Sequence, residues 1–401
     1  MTDAELRDAA LAKFALELDH LKKTTRGLKG FSAPPPSEWG KALLARSEGL
    51  TLLGQVAPPP PPPPSPPVSW QGPITIDAAA ITANGGPNFS GYFESTSAST
   101  PAVTIATSQA VTLTGGVRNL VGGRCIYVAV SAAKVTIDHC FIYGGPTVST
   151  SHRWFEAVNY QSIVIRNCTI LYTRGIQLEA GIPGSTVLLT RNRHTNIQGN
   201  GKNPPGNFVQ FREAANPAIE ISWNEIINEP VVSNPEDLIS LYHSSNATIH
   251  DNYFQGQYDP DNDANSQNTI TMEAGADNHN IYSNQLVACR SIGVFNGNNN
   301  SVHDNRNISC GTLPDGVTQL GYWSQPWFVA GGYANNHYHN NISAYANQGA
   351  YRYGDLSGCF EGDLGERANN TYILAPTRQM ETDERTLWQQ KLAAAGVTVG
   401  A

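Results

Sequence analysis

The 401-residue sequence lacks long apolar runs, and charged residues make up only 14% of the chain. No stretch approaches the roughly 20 apolar residues of a membrane helix, so we expect no membrane insertion. The charged N-terminus has no apolar centre of the kind found in secretory signal peptides. Between residues 68 and 376 the only lysines are Lys134 and Lys202, and the net charge of the chain is −8. This balance argues against nucleic acid as a partner and favours a neutral or weakly charged ligand.

Several motifs of well-defined chemistry are also missing. The chain has no phosphate loop, no zinc-binding His pair and no nucleophile elbow, and none of its six cysteines forms a CxxC motif. Cys140 and Cys168 occupy equivalent positions of successive repeats, as do Cys289 and Cys310. Neighbouring coils of a repeat fold come close enough for a disulfide, but the missing export signal favours buried free thiols. We therefore predict buried free thiols and leave their redox state open.

A repeated frame organises the chain from Val135 to Ile342. In IEISWNEI (Ile219–Ile226), apolar residues alternate with polar ones and are followed by an Asn and a further apolar residue. The frame returns every ~29 residues on average, within the range of solenoids. Its turn position holds, in order, Cys140, Cys168, Asn192, Asn224, Asn252, Asn284, Asn305 and Asn340. Alternation with period 2 and no helix between the runs predict a parallel β-helix whose coils stack at ~4.8 Å.

Asparagine suits this turn position for two reasons. It tolerates left-handed backbone angles, and its side-chain amide can bond to the amide one coil along. We therefore expect the Asn column to mark the stacking register of the coils.

Composition divides the chain into four segments. We predict a helical module over residues 1–57, a stiff polyproline linker over 58–67, a parallel β-helix over 68–376 and a C-terminal helical cap over 377–401. The first strand-like runs include ITIDAAAITA (Ile74–Ala83), and the closing helix is expected from Glu381 to Gly396. That helix would cover the last apolar layer of the solenoid.

A second strand of each coil supplies a candidate binding face. Its outward positions form two ribbons, the first being Gln177, Gln210, Ser240, Thr271 and Gly293, and the second Glu179, Arg212, Tyr242, Glu273 and Phe295. Amide, carboxylate, Arg and aromatic side chains together are typical of sugar-binding surfaces. The candidate carbohydrate-binding residues are Gln177, Glu179, Gln210, Arg212, Tyr242, His243, Glu273 and Phe295.

No catalytic residue can be assigned on this face from the sequence. Glu179 and Glu273 are three coils apart, or ~14 Å, and glycoside hydrolysis needs two carboxyl groups roughly 5–9.5 Å apart. Glu179 is expected to form a surface ion pair with Arg212. Glu156 is expected one coil from Glu179, at a suitable separation. His243 can act as a general base, although a lone His on a polar strand is more often a surface residue.

No cofactor is expected, with calcium as the one alternative. Asp259, Asp261 and Asp263 resemble the start of a calcium loop, but Ala264 stands where Gly is needed and Ile270 where Glu is needed. A solvated loop is the favoured interpretation.

The repeats resemble the right-handed parallel β-helix family, which has the pectate-lyase-like fold. The resemblance covers roughly Val68 to Pro376 and implies an all-β fold, a right-handed single-stranded parallel β-helix. The family includes polysaccharide lyases, glycoside hydrolases, carbohydrate esterases and phage tailspikes, so the fold alone selects no activity. None of those enzymes' catalytic motifs can be placed here residue by residue.

The N-terminal segment is similar to the opening of minor tail proteins and tail fibres of phages that infect actinobacteria. The similarity lies in LDHLKKTTRGLKGFSAPPPSEWGKALLARSEG (residues 18–49). It implies a virion protein that acts at the bacterial surface, binds host envelope polysaccharide, docks to other tail proteins through its N-terminal module and assembles as a homotrimer. Three functions stay open: a glycan-binding tail protein with or without depolymerase activity, a polysaccharide lyase or glycoside hydrolase, and a purely structural virion component.

Overall fold

The computed structural model describes residues 69–145, 152–199, 205–212, 217–230, 232–233, 235–257, 268–314, 316–317, 327–345, 364–373 and 375–400. The predicted helical module and the polyproline linker lie outside these residues, as do Asp259, Asp261 and Asp263. The described part of the chain is a parallel β-solenoid with two helices, which confirms the predicted fold class.

The strands are numbered along the described chain. They are β1 (Ile74–Ile76), β2 (Asn88–Ser95), β3 (Val103–Ile105), β4 (Ala110–Asn119), β5 (Ile126–Val128), β6 (Lys134–Tyr143), β7 (Phe155–Val158), β8 (Ser162–Arg166), β9 (Thr169–Leu171), β10 (Ile176–Glu179), β11 (Thr186–Thr190), β12 (Arg193–Thr195), β13 (Val209–Arg212), β14 (Ala218–Ser222), β15 (Glu225–Ile227), β16 (Ile239–Tyr242), β17 (Ala247–His250), β18 (Tyr253–Gln255), β19 (Ile270–Glu273), β20 (Asn280–Tyr282), β21 (Gln285–Val287), β22 (Ile292–Val294), β23 (Ser301–His303), β24 (Arg306–Ser309), β25 (Trp327–Val329), β26 (Asn336–His339), β27 (Ile342–Tyr345), β28 (Leu364–Ala368) and β29 (Thr371–Tyr372). The helices are α1 (Ala78–Ala83) and α2 (Arg378–Ala395).

The strands form two sheets that run the length of the stack. The ten-stranded sheet takes one strand from each coil, in the order β1, β3, β5, β7, β10, β13, β16, β19, β22 and β25. The remaining strands form the nineteen-stranded sheet, to which most coils contribute two short strands separated by a turn. Neighbouring coils pair in parallel, as β10 does with β13 and β11 with β14.

Alternate side chains of the ten-stranded sheet point into the solenoid. The predicted inward residues are fully buried: Ile176, Leu178, Val209, Phe211, Ile239, Leu241, Ile270, Met272, Ile292 and Val294. Burying one such side chain stabilises the fold by about 1.5–3 kcal/mol, and period-2 alternation repeats that gain in every coil. The opposite side chains of the same strands are therefore the ones that form the outer face.

A ladder of asparagines holds the turn of the nineteen-stranded sheet. Each amide oxygen accepts the backbone N–H of the preceding member at 2.9–3.1 Å. This asparagine ladder consists of Cys168, Asn192, Asn224, Asn252, Asn284, Asn305, Asn341 and Asn370. The sequence prediction was wrong at its last position, because Asn341, and not Asn340, accepts from Asn305. The ladder also extends one coil further than predicted.

The backbone angles correct one of the two reasons given for asparagine. The residue just before the ladder position is the left-handed one, with φ between +55° and +58° at Arg191, Trp223, Asp251 and Asp304. Asn340 occupies this preceding position, with φ +56°. Asparagine is therefore required in the ladder for its side-chain hydrogen bonds, whereas the left-handed position accepts varied residues.

The first coil contains a helix where the sequence predicted a strand. β1 ends at Ile76, and Asp77 then caps α1 by accepting the N–H of Ala80 at 2.8 Å. Alanine has the highest helix propensity, so the Ala-rich run after this cap becomes helical. Ile81 is buried with the core residues, so this helix packs on the solenoid near its beginning.

The C-terminal helix α2 is present but lies elsewhere than expected. Thr377 caps it, and Gly396 ends it with φ +65°. Trp388 is buried against Tyr253, and Glu384 accepts from Arg306, so the helix packs along the flank of the stack. The predicted role as a cover for the last coil is wrong, because these contacts are on the outer side of the nineteen-stranded sheet. No helix among the described residues is long and apolar enough to cross a membrane.

The described cysteines are free thiols, as predicted. Cys125, Cys140, Cys168 and Cys289 are buried, and Cys310 is half-buried. The hydrogen bond with the adjacent Cys168 thiol, together with burial, raises the pKa of Cys140 well above its usual value. These side chains therefore act as small apolar residues in the stack.

Candidate functional site

The outer face of the ten-stranded sheet carries the predicted binding residues in the predicted register. Gln177 pairs with Gln210 and Glu179 with Arg212 across β10 and β13. Tyr242 pairs with Glu273 across β16 and β19. All eight predicted site residues are half-buried or exposed, and we call this surface the binding face. The structure thus brings them onto one surface along the stacking direction.

The first ribbon is accessible only in its earlier coils. Gln177 and Gln210 are half-buried, but Ser240, Thr271 and Gly293 are buried, contrary to the prediction of an open ribbon. Other side chains fold over them. The Asp237 carboxylate accepts a hydrogen bond from Thr271 Oγ1 at 2.8 Å. The ring of Phe295 lies 2.9 Å from where a Cβ of residue 293 would stand, so a larger residue there would require that ring to shift.

The second ribbon begins with the predicted ion pair. Arg212 Nη1 lies 3.4 Å from Glu179 Oε1, and the two side chains are 50% and 30% exposed. Gln177 also donates to Glu179, so the carboxylate joins both ribbons. A pair this exposed contributes at most about 1 kcal/mol to stability, which leaves it available to a ligand.

Tyr242, His243 and Glu273 lie further along the same ribbon. The exposed His243 follows β16 at a left-handed position, with φ +53°, and its ring meets that of Tyr242 edge-on at 4.5 Å. Burial raises the pKa of the half-buried Glu273 above its ordinary value. The structure separates Glu273 from Glu179 by three coils, as the sequence predicted.

Glu156 does not pair with Glu179. It stands opposite Gln177, whereas Val158 stands opposite Glu179. Its carboxylate accepts from Arg124 at 2.5 Å and from the backbone N–H of Arg153 at 2.8 Å. Glu156 therefore lies one coil from Glu179, as expected, but one outward position away, and both of its oxygens accept hydrogen bonds, so it serves as a structural ion-pair partner of Arg124.

A column of polar residues at the entrance of the strands was missed by the sequence analysis. Each member precedes by two positions the first inward residue of its strand. This strand-entry column consists of Arg124, Arg153, Arg174, Asn207, Asp237, Asn268 and Arg290. Extending the strand alignment two residues upstream would have found it. The residue types alone would not have shown that Arg153 and Asp237 bond to residues of the binding face in neighbouring coils.

Arg153 crosses several coils beneath that face. Only 2% exposed, it donates from Nη1 to the carbonyls of Arg174 and Pro205, at 2.9 and 2.6 Å. From Nη2 it donates to Asn207 at 2.7 Å and to Gln210 at 3.0 Å. Burial, with a contribution from nearby Arg174, lowers the pKa of Arg153 to about 9. The bond to Gln210 Oε1 orients this amide so that its NH₂ group is directed away from Arg153.

Asp237 is the buried acid of the column. It is 5% exposed, and its Oδ1 accepts the N–H of Asn268 at 2.9 Å as well as the Thr271 hydroxyl. Burial raises the pKa of Asp237 well above its usual range, and the charges of Glu236 and Glu273 raise it further. A buried, hydrogen-bonded carboxyl group whose protonated form is favoured by burial therefore lies close enough to Glu273 for their charges to interact.

Within the described ranges, no three or more His, Cys, Asp or Glu side chains are grouped so that they could hold a metal ion. Comparison of the chain with family models, curated proteins and solved structures yields no match.

Proposed function

We propose that the protein is a phage tail-associated β-helix protein whose binding face recognises a glycan of the host envelope. The observation that carries this proposal is the alignment of amide, Arg, carboxylate and aromatic side chains on one face, repeated at ~4.8 Å per coil. Sugars are bound by such combinations, in which polar groups take the hydroxyls and aromatic rings contact the apolar side of the pyranose.

The charges on this face favour a neutral or weakly charged glycan. Arg212 is the exposed cation among the predicted residues, and it stands beside Glu179, with Glu273 further along. A strongly anionic polymer would meet repulsion from the two carboxylates. The supporting residues are held in place from below, since Arg153 fixes the orientation of Gln210.

The virion assignment rests on the similarity of residues 18–49 to phage tail proteins. In this proposal the N-terminal module docks to other tail proteins, the polyproline segment acts as a spacer, and the protein assembles as a homotrimer. The binding face then meets the envelope of the host. A purely structural tail component with no ligand is the alternative that the binding experiment addresses.

Arg212→Ala and Tyr242→Ala test the binding face. We expect each substitution to weaken retention on host envelope polysaccharide by about tenfold, the loss of roughly 1.4 kcal/mol of contact energy. Retention would be measured by co-sedimentation of the full chain with purified envelopes and by titration with the soluble polysaccharide.

A matched control exists on the opposite side of the solenoid. Arg166 forms an ion pair with Asp138 at 2.8 Å and is 41% exposed, similar to Arg212, but it lies on the nineteen-stranded sheet. Arg166→Ala should bind as the unmodified protein does. Equal retention by all three variants would exclude the binding face, and no retention by the unmodified protein would favour the structural alternative.

A further inference from the structure

The binding face carries two carboxyl groups whose surroundings differ. Asp237 belongs to the strand-entry column, and Glu273 ends β19, one coil further along. Thr271 connects them, because its hydroxyl donates to Asp237 and it precedes Glu273 by one outward position. Successive outward positions of a strand lie about 7 Å apart. Glu273 is therefore about 7 Å along the strand from Thr271, to which Asp237 is bonded, a spacing comparable to the roughly 5–9.5 Å between the two carboxyls of glycoside hydrolysis.

The hydrogen bonds of Asp237 leave one oxygen free. Oδ1 takes both donors, from Asn268 and Thr271, whereas Oδ2 accepts no hydrogen bond from the described chain. The side chain is only 5% exposed, so its two hydrogen bonds hold the acid in one orientation. Its burial favours the protonated form, while the half-buried Glu273 is the better candidate for the ionised form. Two carboxyl groups whose environments shift their pKa values differently can serve as general acid and general base.

Aromatic side chains flank the pair along the stack. Tyr242 lies one coil before Glu273. Phe295 lies on the coil after it, with its ring turned over Gly293. A sugar ring between these side chains would therefore meet apolar groups on both sides and the two carboxyls from beneath.

We propose that Asp237 is the general acid and Glu273 the general base of a glycoside-hydrolysing site on the binding face. This inference rests on the proposed function. Asp237 donates its proton to the bridging oxygen as the bond from the anomeric carbon to that oxygen breaks, and the bonding electrons remain on the leaving sugar. A water molecule forms the new bond to the anomeric carbon and transfers a proton to Glu273. Solvent then returns a proton from Glu273 to Asp237, so one water is consumed for each bond cut.

The test measures cleavage and retention in parallel. The full-length chain is incubated with soluble arabinogalactan, an α-glucan and a polyuronate, and new reducing ends, absorbance of unsaturated uronic products and bound polysaccharide are recorded. We expect reducing ends without unsaturated products. Asp237→Asn and Glu273→Gln should each lower the rate of reducing-end formation at least 100-fold, a loss far larger than the accompanying change in retention.

The variants are chosen to keep the fold. Asn at position 237 can still accept from Asn268 and Thr271, and Glu273 is only half-buried, so both proteins should melt near the unmodified one. Glu220→Gln, on the nineteen-stranded sheet, is the control and should cleave normally.

The outcomes separate this inference from the proposed function. A polysaccharide that is retained but never cut would overturn the catalytic pair and leave binding intact, as would full cleavage by both variants. Unsaturated products would indicate a lyase and also overturn it. Cleavage without measurable retention would support the pair and count against stable adsorption. Neither retention nor cleavage of any of the three polymers would overturn both.

Discussion

The asparagine ladder and the strand-entry column both place one side chain per coil along the stack, yet they are built differently. In the ladder one residue type recurs, and each amide oxygen accepts an N–H from the neighbouring coil. In the column the residue changes between Arg, Asn and Asp, and the buried Nε of Arg153 has no hydrogen-bond partner among the described residues. The residue type is thus repeated where side chains stack from coil to coil, and it varies in the column beside the face that we propose binds glycan.

The difference has a physical reason. A ladder amide sees the same surroundings in every coil, so the best residue at one level is best at all levels. The column faces loops of unequal length and the ribbons of the binding face, so the surroundings of its side chains differ from coil to coil. Residues that depart from the repeat are therefore the ones to examine for function.

The largest effect is expected in the ladder. Asn341→Ala should lower the free energy of unfolding by about 4 kcal/mol, because it strands the buried N–H of Asn305 and the carbonyl of Val302. Asn340→Gly is the matched control and should change stability little, since glycine adopts φ +56° freely. Chemical denaturation of both variants measures the difference. Equal losses would mean that Asn341 is no more important than its neighbour.

A somewhat smaller loss is expected in the column. Arg153→Met should destabilise the fold by about 3 kcal/mol, because it removes all four hydrogen bonds made by a guanidinium that is only 2% exposed. Arg212→Met, at the exposed ion pair, should cost less than about 1 kcal/mol. Unfolding in denaturant compares the two. An Arg153→Met protein as stable as the unmodified chain would show that the buried guanidinium does not support the column.

A shorter ladder contains a residue that titrates. His279 donates its backbone N–H to Asn300 Oδ1 at 2.9 Å, and its ring Nδ1 accepts the backbone N–H of Ala247 at 3.0 Å. Complete burial lowers the pKa of His279 to about 3. Because the folded pKa lies below the unfolded value, the contribution to stability is fully present above about pH 6.5 and is lost as the pH falls.

His279→Asn should remove this acid sensitivity. At pH 5 the charged form favours unfolding of the unmodified protein by about 2 kcal/mol relative to pH 7.5, and the variant should recover that amount. Asn also offers an acceptor for Ala247. Thermal unfolding across pH 4.5–8 gives the readout, with His139→Asn as a control because the His139 side chain is 66% exposed. Parallel pH curves for His279→Asn and the unmodified protein would contradict the prediction. The buried His194, whose pKa burial also lowers to about 3, contributes equally to all three proteins.

Local pattern was enough to predict most of the repeating framework. Alternation identified the inward residues such as Leu178 and Met272, and aligned strands placed Glu179 beside Arg212. The run of Asn340 and Asn341 shows where pattern fails, because two adjacent asparagines fit the same frame and only the pairing of coils distinguishes them. The position of Glu156 likewise depends on the pairing of coils, which places it opposite Gln177 and not opposite Glu179.

The sequence by itself determined the period, the strands, the inward and outward faces, the buried thiols and the existence of a C-terminal helix. These follow from short-range alternation, turn residues and helix caps, which act over a few neighbouring positions. Only the tertiary structure decided that Asp237 and Arg153 bond to residues of the binding face in neighbouring coils and that α2 packs along the flank. Those contacts depend on how the coils stack and on the paths of the connecting loops, which the local pattern of the chain does not reveal.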